Sequence, residues 1–372
     1  MSGPDQTVLA ELTEFFDVEL PRFQADFADS TGFEARREWQ RRLDTGGWVG
    51  LNWPTQHGGR ALDLATQVAC ETAMNSSGAP QIAGFIGVNT VASAIMHFGS
   101  DQHKQYLPGI RSGALIFCQS FSEPEAGSDL ASLRTRAEAT ADGFVLNGQK
   151  VWTSNATEGD QTLVLVRTTA IESGGRSHRG LSLLLVPLDL PGVTVTGIRQ
   201  LNGDNEFAEI FFDDAALPES ALVGPVDEGW RVAMSTLAHE RAAAMMLAMR
   251  TRALVRNAAR REAATVPPSR RDDLLRLYLR SEVLGLLAER SVAELGSGNP
   301  GPAQSVVKLA WSQVDQSFAD LMFSLRGAAA TAGLAPQETE ALLFSRSSTI
   351  AAGTTEVMRN ILAEQVLGLP RA

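Results

Sequence analysis

Residues 144–169 read FVLNGQKVWTSNATEGDQTLVLVRTT. Two runs rich in Val, Leu and aromatic residues, Phe144–Trp152 and Thr162–Thr168, flank a short polar stretch. Such runs, bounded by turn residues, read as β-strands. The pattern continues outward through Leu181–Pro187, Val193–Ile198 and Glu209–Phe212, with alternation at Thr194-Val195-Thr196. Gly143, Asn147-Gly148, Pro191-Gly192 and Asn202-Gly203 supply the turn signals between them. No long helical pattern separates these strands, so a doubly wound parallel sheet is not expected.

The flanks have a different texture. Gln6–Phe27 and Ala65–Asn75 carry apolar residues at helical spacing. Between them, Gly46–Gly59 combines glycines with Trp48, Trp53 and Pro54, which is turn chemistry with aromatic anchors. After the strands, Trp230–Arg261 contains no proline and many good helix formers. Pro267-Pro268 breaks it, and helical patterns resume at Arg271–Leu295, Ser305–Leu325 and Pro336–Ser348. The expected class is α+β: a helical domain over 1–116, a β-domain over 117–222 and a second helical domain over 223–372.

Composition narrows the chemistry. The 372 residues carry 32 Lys and Arg against 43 Asp and Glu, a formal charge of -11. An acidic chain without a basic run is a poor match for nucleic acid or for an anionic membrane surface. Residues 72–100 lack charged side chains, yet Asn75, Ser76, Ser77, Pro80, Gln81 and Asn89 make the stretch too polar to span a bilayer. Cys70 and Cys118 stand far apart among small and apolar residues, outside any metal or redox motif. With no secretory pattern at the N-terminus, they point to the cytoplasm.

Several chemistries lack their motifs. There is no phosphate-binding GxxxxGK[ST], no strand-borne GxGxxG, no HExxH and no GxSxG. Three features stand out instead. Trp230, Ala233, Leu237, Ala244 and Ala248 form a helical stripe, and Glu240 falls within it. A carboxylate in an apolar stripe is costly unless it is paired or used. It is either a proton acceptor whose basicity burial has raised, or the partner of Arg241, or a residue one step off the stripe. The segments Ser122–Asp129 (SEPEAGSD) and Gly353–Glu356 (GTTE) cluster hydroxyls, glycine and carboxylates. Each reads as a polar cofactor contact or as a turn or helix cap.

Six segments, in this order, resemble the acyl-CoA dehydrogenase family: GWVGLNWPTQHGGRAL, HFGSDQHKQYLPGIRSG, FCQSFSEPEAGSDLASLRTRA, LNGQKVWTSNA, DEGWRVAMSTLAHER and IAAGTTEVMRNILAEQVLGLPR. They span nearly the whole chain. The resemblance implies an N-terminal helical domain, a central β-domain and a C-terminal four-helix bundle. It implies FAD as cofactor, an acyl-CoA substrate and transfer of electrons to an electron-transferring flavoprotein. By resemblance, Gln119, Phe121, Ser122, Gly127 and Ser128 lie against the flavin and its pyrophosphate. Trp152 and Ser154 touch the isoalloxazine edge, and Thr354 and Glu356 reach the adenosine portion. Arg241 lies near the acyl-CoA, and Ser128, Ala352 and Gly353 border the substrate.

The catalytic base follows from a choice the family offers. Many members carry it directly before the Gly-Thr of the C-terminal loop, and here that position is Ala352. Isovaleryl-CoA dehydrogenase and its relatives carry it on the first long C-terminal helix, where this chain has Glu240 in LAHER. Stripe and resemblance therefore select the same residue. Two family segments are missing: residues 250–268 contain no RxxFG, and 324–330 read SLRGAAA in place of QxxGGxG. These departures leave two assemblies open. One is a stand-alone homodimeric or homotetrameric dehydrogenase. The other is one subunit of a heteromeric enzyme with little flavin binding of its own.

Overall fold

A computed structural model of the chain describes residues 3–27, 32–170, 178–296 and 303–370, without the side chains of residues 237–243 and 303. Six helices come first: α1 (Gln6–Asp26), α2 (Phe33–Thr45), α3 (Leu64–Ser76), and the shorter α4 (Ala92–Phe98), α5 (Asp101–Lys104) and α6 (Leu107–Ser112). Seven strands follow: β1 (Phe117–Ser120), β2 (Arg136–Thr140), β3 (Gly143–Ser154), β4 (Gln161–Arg167), β5 (Leu181–Pro187), β6 (Val193–Ile198) and β7 (Phe207–Pro218). The C-terminal region is helical again: α7 (Gly229–Glu262), α8 (Pro268–Gly296), α9 (Ala303–Arg326), α10 (Ala328–Thr331), α11 (Pro336–Phe344) and α12 (Thr355–Ile361). The helix–strand–helix order expected from the sequence is thus present. The backbone groups into two compact units, Asp17–Ala61 with Pro80–Glu240, and Met1–Phe16 with Leu62–Ala79 and Arg241–Ala372.

In the first unit, all seven strands form one sheet in the order β1-β4-β2-β3-β7-β6, with β5 on the other side of β4. The β1–β4 pair is parallel and the long β3–β7 pair is antiparallel. Leu163–Val166 and Leu183–Val186 are fully or nearly fully buried, so β4 and β5 are continuous apolar runs rather than alternating ones. Strand β6 alternates because one of its faces is open to water. Asn147-Gly148, expected as a turn, instead sits inside β3 at a bulge. The chain passes so close to β2 there that a Cβ on Gly148 would lie 2.7 Å from Thr135 Cα. Only glycine fits such an approach.

The N-terminal helices of this unit are locked by polar side chains as well as apolar ones. Trp39 packs on Phe23 with ring centroids 5.1 Å apart. Beside it, the fully buried Gln40 amide donates to the carbonyls of Ile110 and Arg111 and accepts from Gly84 N–H. Trp48 and Trp53 are buried as the anchors of the Gly46–Gly59 loop, and Trp53 Nε1 donates to Val88 O.

In the second unit, α7, α8 and α9 share a core that includes Met245, Ala248, Val255, Leu277, Leu284, Val307 and Val314. Val68 of α3 belongs to the same cluster. Among the described residues, no helix is long and apolar enough to cross a membrane, and Cys70 and Cys118 are buried thiols outside any disulfide.

One buried ion pair fixes the loop that leaves β1. Lys150, on the inward face of β3, is fully buried and donates to Phe121 O (3.0 Å) and to Glu123 Oε1 (2.8 Å). Glu123 also accepts from the N–H groups of Arg134 (2.7 Å) and Thr135 (2.9 Å). Burial alone would raise this carboxyl's pKa, but the Lys150 charge and these donors outweigh it and hold it below the ordinary value. Loss of water pulls the Lys150 ammonium down to about 8, with Glu123 opposing. Removing one partner of such a pair leaves a buried charge uncompensated, at a cost of about 3–5 kcal/mol.

Lys150→Met is therefore expected to lower unfolding free energy by about 3–5 kcal/mol at neutral pH, measured by urea denaturation. The pH dependence should reverse. In the wild type the Glu123 contribution is present above the ordinary carboxylate range and is lost as pH falls through its depressed folded pKa. In the variant the carboxyl has lost its cation, so acidification should relieve the defect. A loss below about 1 kcal/mol with no reversal would contradict this role.

Candidate active site

Two hydrogen bonds set the register of the loop against β3. Ser120 Oγ meets Thr153 Oγ1 at 3.0 Å, and Val151 N–H donates to Ser122 O at 3.0 Å. The segments thus run antiparallel, which places Phe121 opposite Trp152 and Gln119 opposite Ser154. The Ser120 and Thr153 side chains point into the sheet, where Ser120 also meets Thr162 Oγ1 at 2.6 Å. Alternation turns their neighbours to the other face. Gln119, Phe121, Trp152 and Ser154, all expected at the flavin, are therefore brought together.

Their exposures differ. Phe121 is buried, Gln119, Ser122 and Ser154 are half-buried, and the Trp152 indole is 59% exposed. Trp152 lies at the bulge of β3 with a left-handed φ of 63°. A bulky residue in that region is strained, and the indole is held on the surface by geometry rather than by burial. Gln119 Oε1 is buried without a hydrogen-bond partner. Beyond Ser122, Glu123 and Ala126 exchange backbone hydrogen bonds in a tight turn, which leaves Gly127 and Ser128 exposed. A Cβ on Gly127 would meet nothing within 4 Å. An unmatched buried acceptor, an exposed aromatic edge and an open turn with a hydroxyl fit a planar polar cofactor such as FAD.

In the other unit, the loop 345–354 lies along a polar face of α9. Gln316 Nε2 donates to Ser345 O, and Ser348 Oγ donates to Asp315 Oδ2 at 2.6 Å. Burial raises the Asp315 carboxyl's pKa, against the Ser348 hydrogen bond and the charges of Arg250 and Arg346. Lys308 Nζ donates to Ser348 O and Gly353 O. The loop then turns through two left-handed residues, Ala352 (φ 54°) and Gly353 (φ 93°). Thr354 caps α12 by accepting from Val357 N–H, so its hydroxyl already serves the helix. Glu356 is exposed on that helix. Thr355 Oγ1, which the sequence reading passed over, is buried without a partner.

Glu240 and Arg241 belong to the part of α7 whose side chains lie outside the described residues. Around them, Ala233, Ala244 and Ala248 of the proposed stripe are buried. In the segments that depart from the family pattern, Arg252, Arg256 and Arg326 are engaged by carboxylates. Arg252 and Arg256 both bind Glu282, and Arg252 also binds Glu289. Arg326, in SLRGAAA, binds Glu262 at 3.0 Å and Glu338 at 2.7 Å. No cluster of metal-ligating side chains occurs among the described residues.

Sequence reasoning missed Lys150, Glu123 and Lys308. Lys150 was legible in principle, because it is in phase with the inward Phe144 and Leu146 of β3. Lys308, Ser312, Asp315 and Gln316 likewise share one helical face, at spacings of four, seven and eight from Lys308.

Comparison with known proteins covers the whole chain. Family models of the acyl-CoA dehydrogenase N-terminal, middle and C-terminal domains match residues 4–114, 118–215 and 227–367. The acyl-CoA dehydrogenase IpdE1 of Mycobacterium tuberculosis is 40% identical over 351 residues, covering 91% of this chain and 89% of its own. IpdE1 of Mycolicibacterium smegmatis is 39% identical over 362 residues, with coverage of 91% and 89%. Among solved structures, the Tcur3481-Tcur3483 steroid ACAD superposes with a TM-score of 0.85 at 29% identity, covering 98% of each chain. The ChsE4-ChsE5 complex from Mycobacterium tuberculosis does so with a TM-score of 0.83 at 29% identity, covering 100% of this chain and 99% of that one. On the sheet, the helices and these matches together, the chain belongs to the acyl-CoA dehydrogenase family of FAD-dependent oxidoreductases.

Proposed function

We propose that this chain converts an acyl-CoA thioester to the trans-2-enoyl-CoA, with Glu240 as the base that removes the α-proton. The observation that carries the reading is the antiparallel register that sets Phe121 and Gln119 against Trp152 and Ser154 beside an unmatched amide oxygen. Gln119, Phe121, Ser122, Gly127, Ser128, Trp152 and Ser154 would hold the flavin and its pyrophosphate, and Thr354 and Glu356 the adenosine end. FAD, when bound, accepts the β-hydrogen as hydride. Domain limits of 1–116, 117–222 and 223–372 go with this reading.

The α C–H of a thioester is a weak acid, so its removal needs an oriented carboxylate and donors for the developing enolate oxygen. Ala352 cannot take a proton, which leaves Glu240 between buried Ala233 and Ala244. Ala352 and Gly353 border the substrate through their backbone, whose N–H groups can donate to the thioester oxygen without any side chain. Ser128 lines the same substrate, and Arg241 attracts the CoA.

The chain works as one half of a paired assembly. In both departed segments arginines are held by carboxylates on neighbouring helices, Arg252 by Glu282 and Arg326 by Glu262, which favours a partner as the source of phosphate contacts. The two solved neighbours are each named as a pair. Helix α8 offers a docking face for a second subunit of this fold: Leu275, Leu279, Val283 and Leu286 are each more than half exposed along one side. Asp272 and Arg290 lie toward opposite ends of that side. The name of the steroid ACAD directs the choice of substrate to acyl-CoA esters with a ring-bearing acyl part. Lipid breakdown in a reducing cytoplasm fits two buried cysteines that form no disulfide. The family's acceptor, an electron-transferring flavoprotein, takes the electrons.

Glu240→Gln should keep its FAD and lose about 10²–10⁴-fold in the rate of α-proton exchange with a bound acyl-CoA in D₂O. Exchange at the wild-type rate would contradict the assignment. For the assembly, the chain expressed alone should be poor in flavin by its visible spectrum and should load FAD with an unlike dehydrogenase subunit. In that complex, Leu279→Glu should reduce the assembled mass. A flavin-saturated homo-oligomer, indifferent to that substitution, would contradict the pairing.

A further inference from the structure

Lys308 is buried, lies on α9, and is not part of any family segment identified above. Its ammonium is within ion-pair distance of no described carboxylate. It donates instead to two backbone carbonyls, Ser348 O at 3.2 Å and Gly353 O at 2.6 Å. Burying a cation without a counter-ion is expensive, and desolvation lowers its pKa accordingly. Two carbonyl dipoles are its compensation, and both belong to one loop.

That loop is unusual in the way the chemistry requires. Ala352 and Gly353 are consecutive left-handed residues. For alanine this conformation costs about 1–2 kcal/mol and persists only where the surroundings impose it. A Cβ on Gly353 would lie 2.6 Å from Met358 Cε, so the turn is also pressed against α12. The loop's other polar groups are tied down: Ser348 to Asp315, Gln316 to Ser345 and Thr349, and the N–H groups of Ile350 and Ala351 to Ser347 O. The N–H groups of Ala352 and Gly353 have no partner among the described residues. Lys308 thus grips the carbonyl side of the turn whose N–H side is free.

We propose that Lys308 is a positioning residue for the reaction: by holding Gly353 O and Ser348 O it fixes the free Ala352 and Gly353 N–H groups toward the thioester oxygen. The inference rests on the proposed role of that turn. It assigns Lys308 no contact with substrate.

The test uses the assembled, FAD-loaded enzyme with Lys308→Met and Lys308→Gln; the glutamine can still donate to one carbonyl. Three quantities are read: α-proton exchange in D₂O, KM for the acyl-CoA, and backbone amide exchange across 345–354. Misplacement of donors by about 1 Å can cost about 10²-fold. Lys308→Met should therefore slow α-proton exchange by about 10–10²-fold, with KM within about twofold and faster amide exchange confined to the loop. Lys308→Gln should recover part of the rate. Unchanged proton exchange in Lys308→Met would overturn the proposal. So would a loss that only tracks a fall in Tm, or failure of both variants to assemble, since either makes Lys308 a folding residue. Absence of exchange in the wild type with every acyl-CoA tried would sink the dehydrogenase reading instead. Loop amide exchange would still report whether Lys308 holds the turn.

Discussion

The Lys150 ammonium is enclosed in the sheet, and that enclosure dictates the geometry around it. A buried cation must be answered by acceptors, and its acceptors are Phe121 O and Glu123 Oε1. Both lie on the loop leaving β1. Glu123 in turn draws in the N–H groups of Arg134 and Thr135, which lead into β2. One charge pair therefore ties β3 to the exit of β1 and the entry of β2. Gly148 lets β3 pass close to Thr135, so sterics and electrostatics act at the same place. The Phe121–Trp152 edge is a consequence of that clamp.

The second unit repeats the principle with another lysine. Lys308 has carbonyls where Lys150 has a carboxylate, yet each buried ammonium holds an otherwise irregular backbone segment against a regular element. Loops that carry chemistry need such support, because their own backbone groups are not satisfied by a ladder. The positive φ values at Trp152 and Ala352 sit beside these two clamps. Strain at a functional turn requires surroundings that impose it.

Much of the fold was legible because its strongest signals are periodic. Strands β5 and β6 occur with the bounds read from the sequence, since an apolar run and a clean alternation each end at turn residues. Strands β1 and β2 escaped notice. Phe117–Ser120 is only four residues long, and Arg136–Thr140 is built of Ala, Glu, Arg and Thr, with weak strand preference. Asn147-Gly148 misled as a turn because the same dipeptide also serves a bulge. At the site, the residues proposed to face the flavin were picked by family resemblance, whereas the residues that hold them were not. Glu123 and Lys150 lie in quoted segments, but a pairing between residues 27 positions apart has no local signature. Thr354 carries two signals at once: its hydroxyl matches a cofactor position and also caps α12 by accepting from Val357 N–H.

The proposed function requires the sheet edge at Gln119 to serve a flavin rather than the fold. A buried amide oxygen without a partner destabilises the empty protein, and an apolar replacement of similar shape removes that cost. The direct measurement is an FAD titration of Gln119→Leu beside the wild type, each in the assembled complex stripped of flavin, with thermal unfolding of both before flavin is added. FAD affinity should fall about tenfold or more, the equivalent of about 1.4 kcal/mol, with Tm of the flavin-free protein unchanged or higher. Unaltered FAD affinity together with a lower Tm would show that the amide serves the fold, and would contradict that requirement.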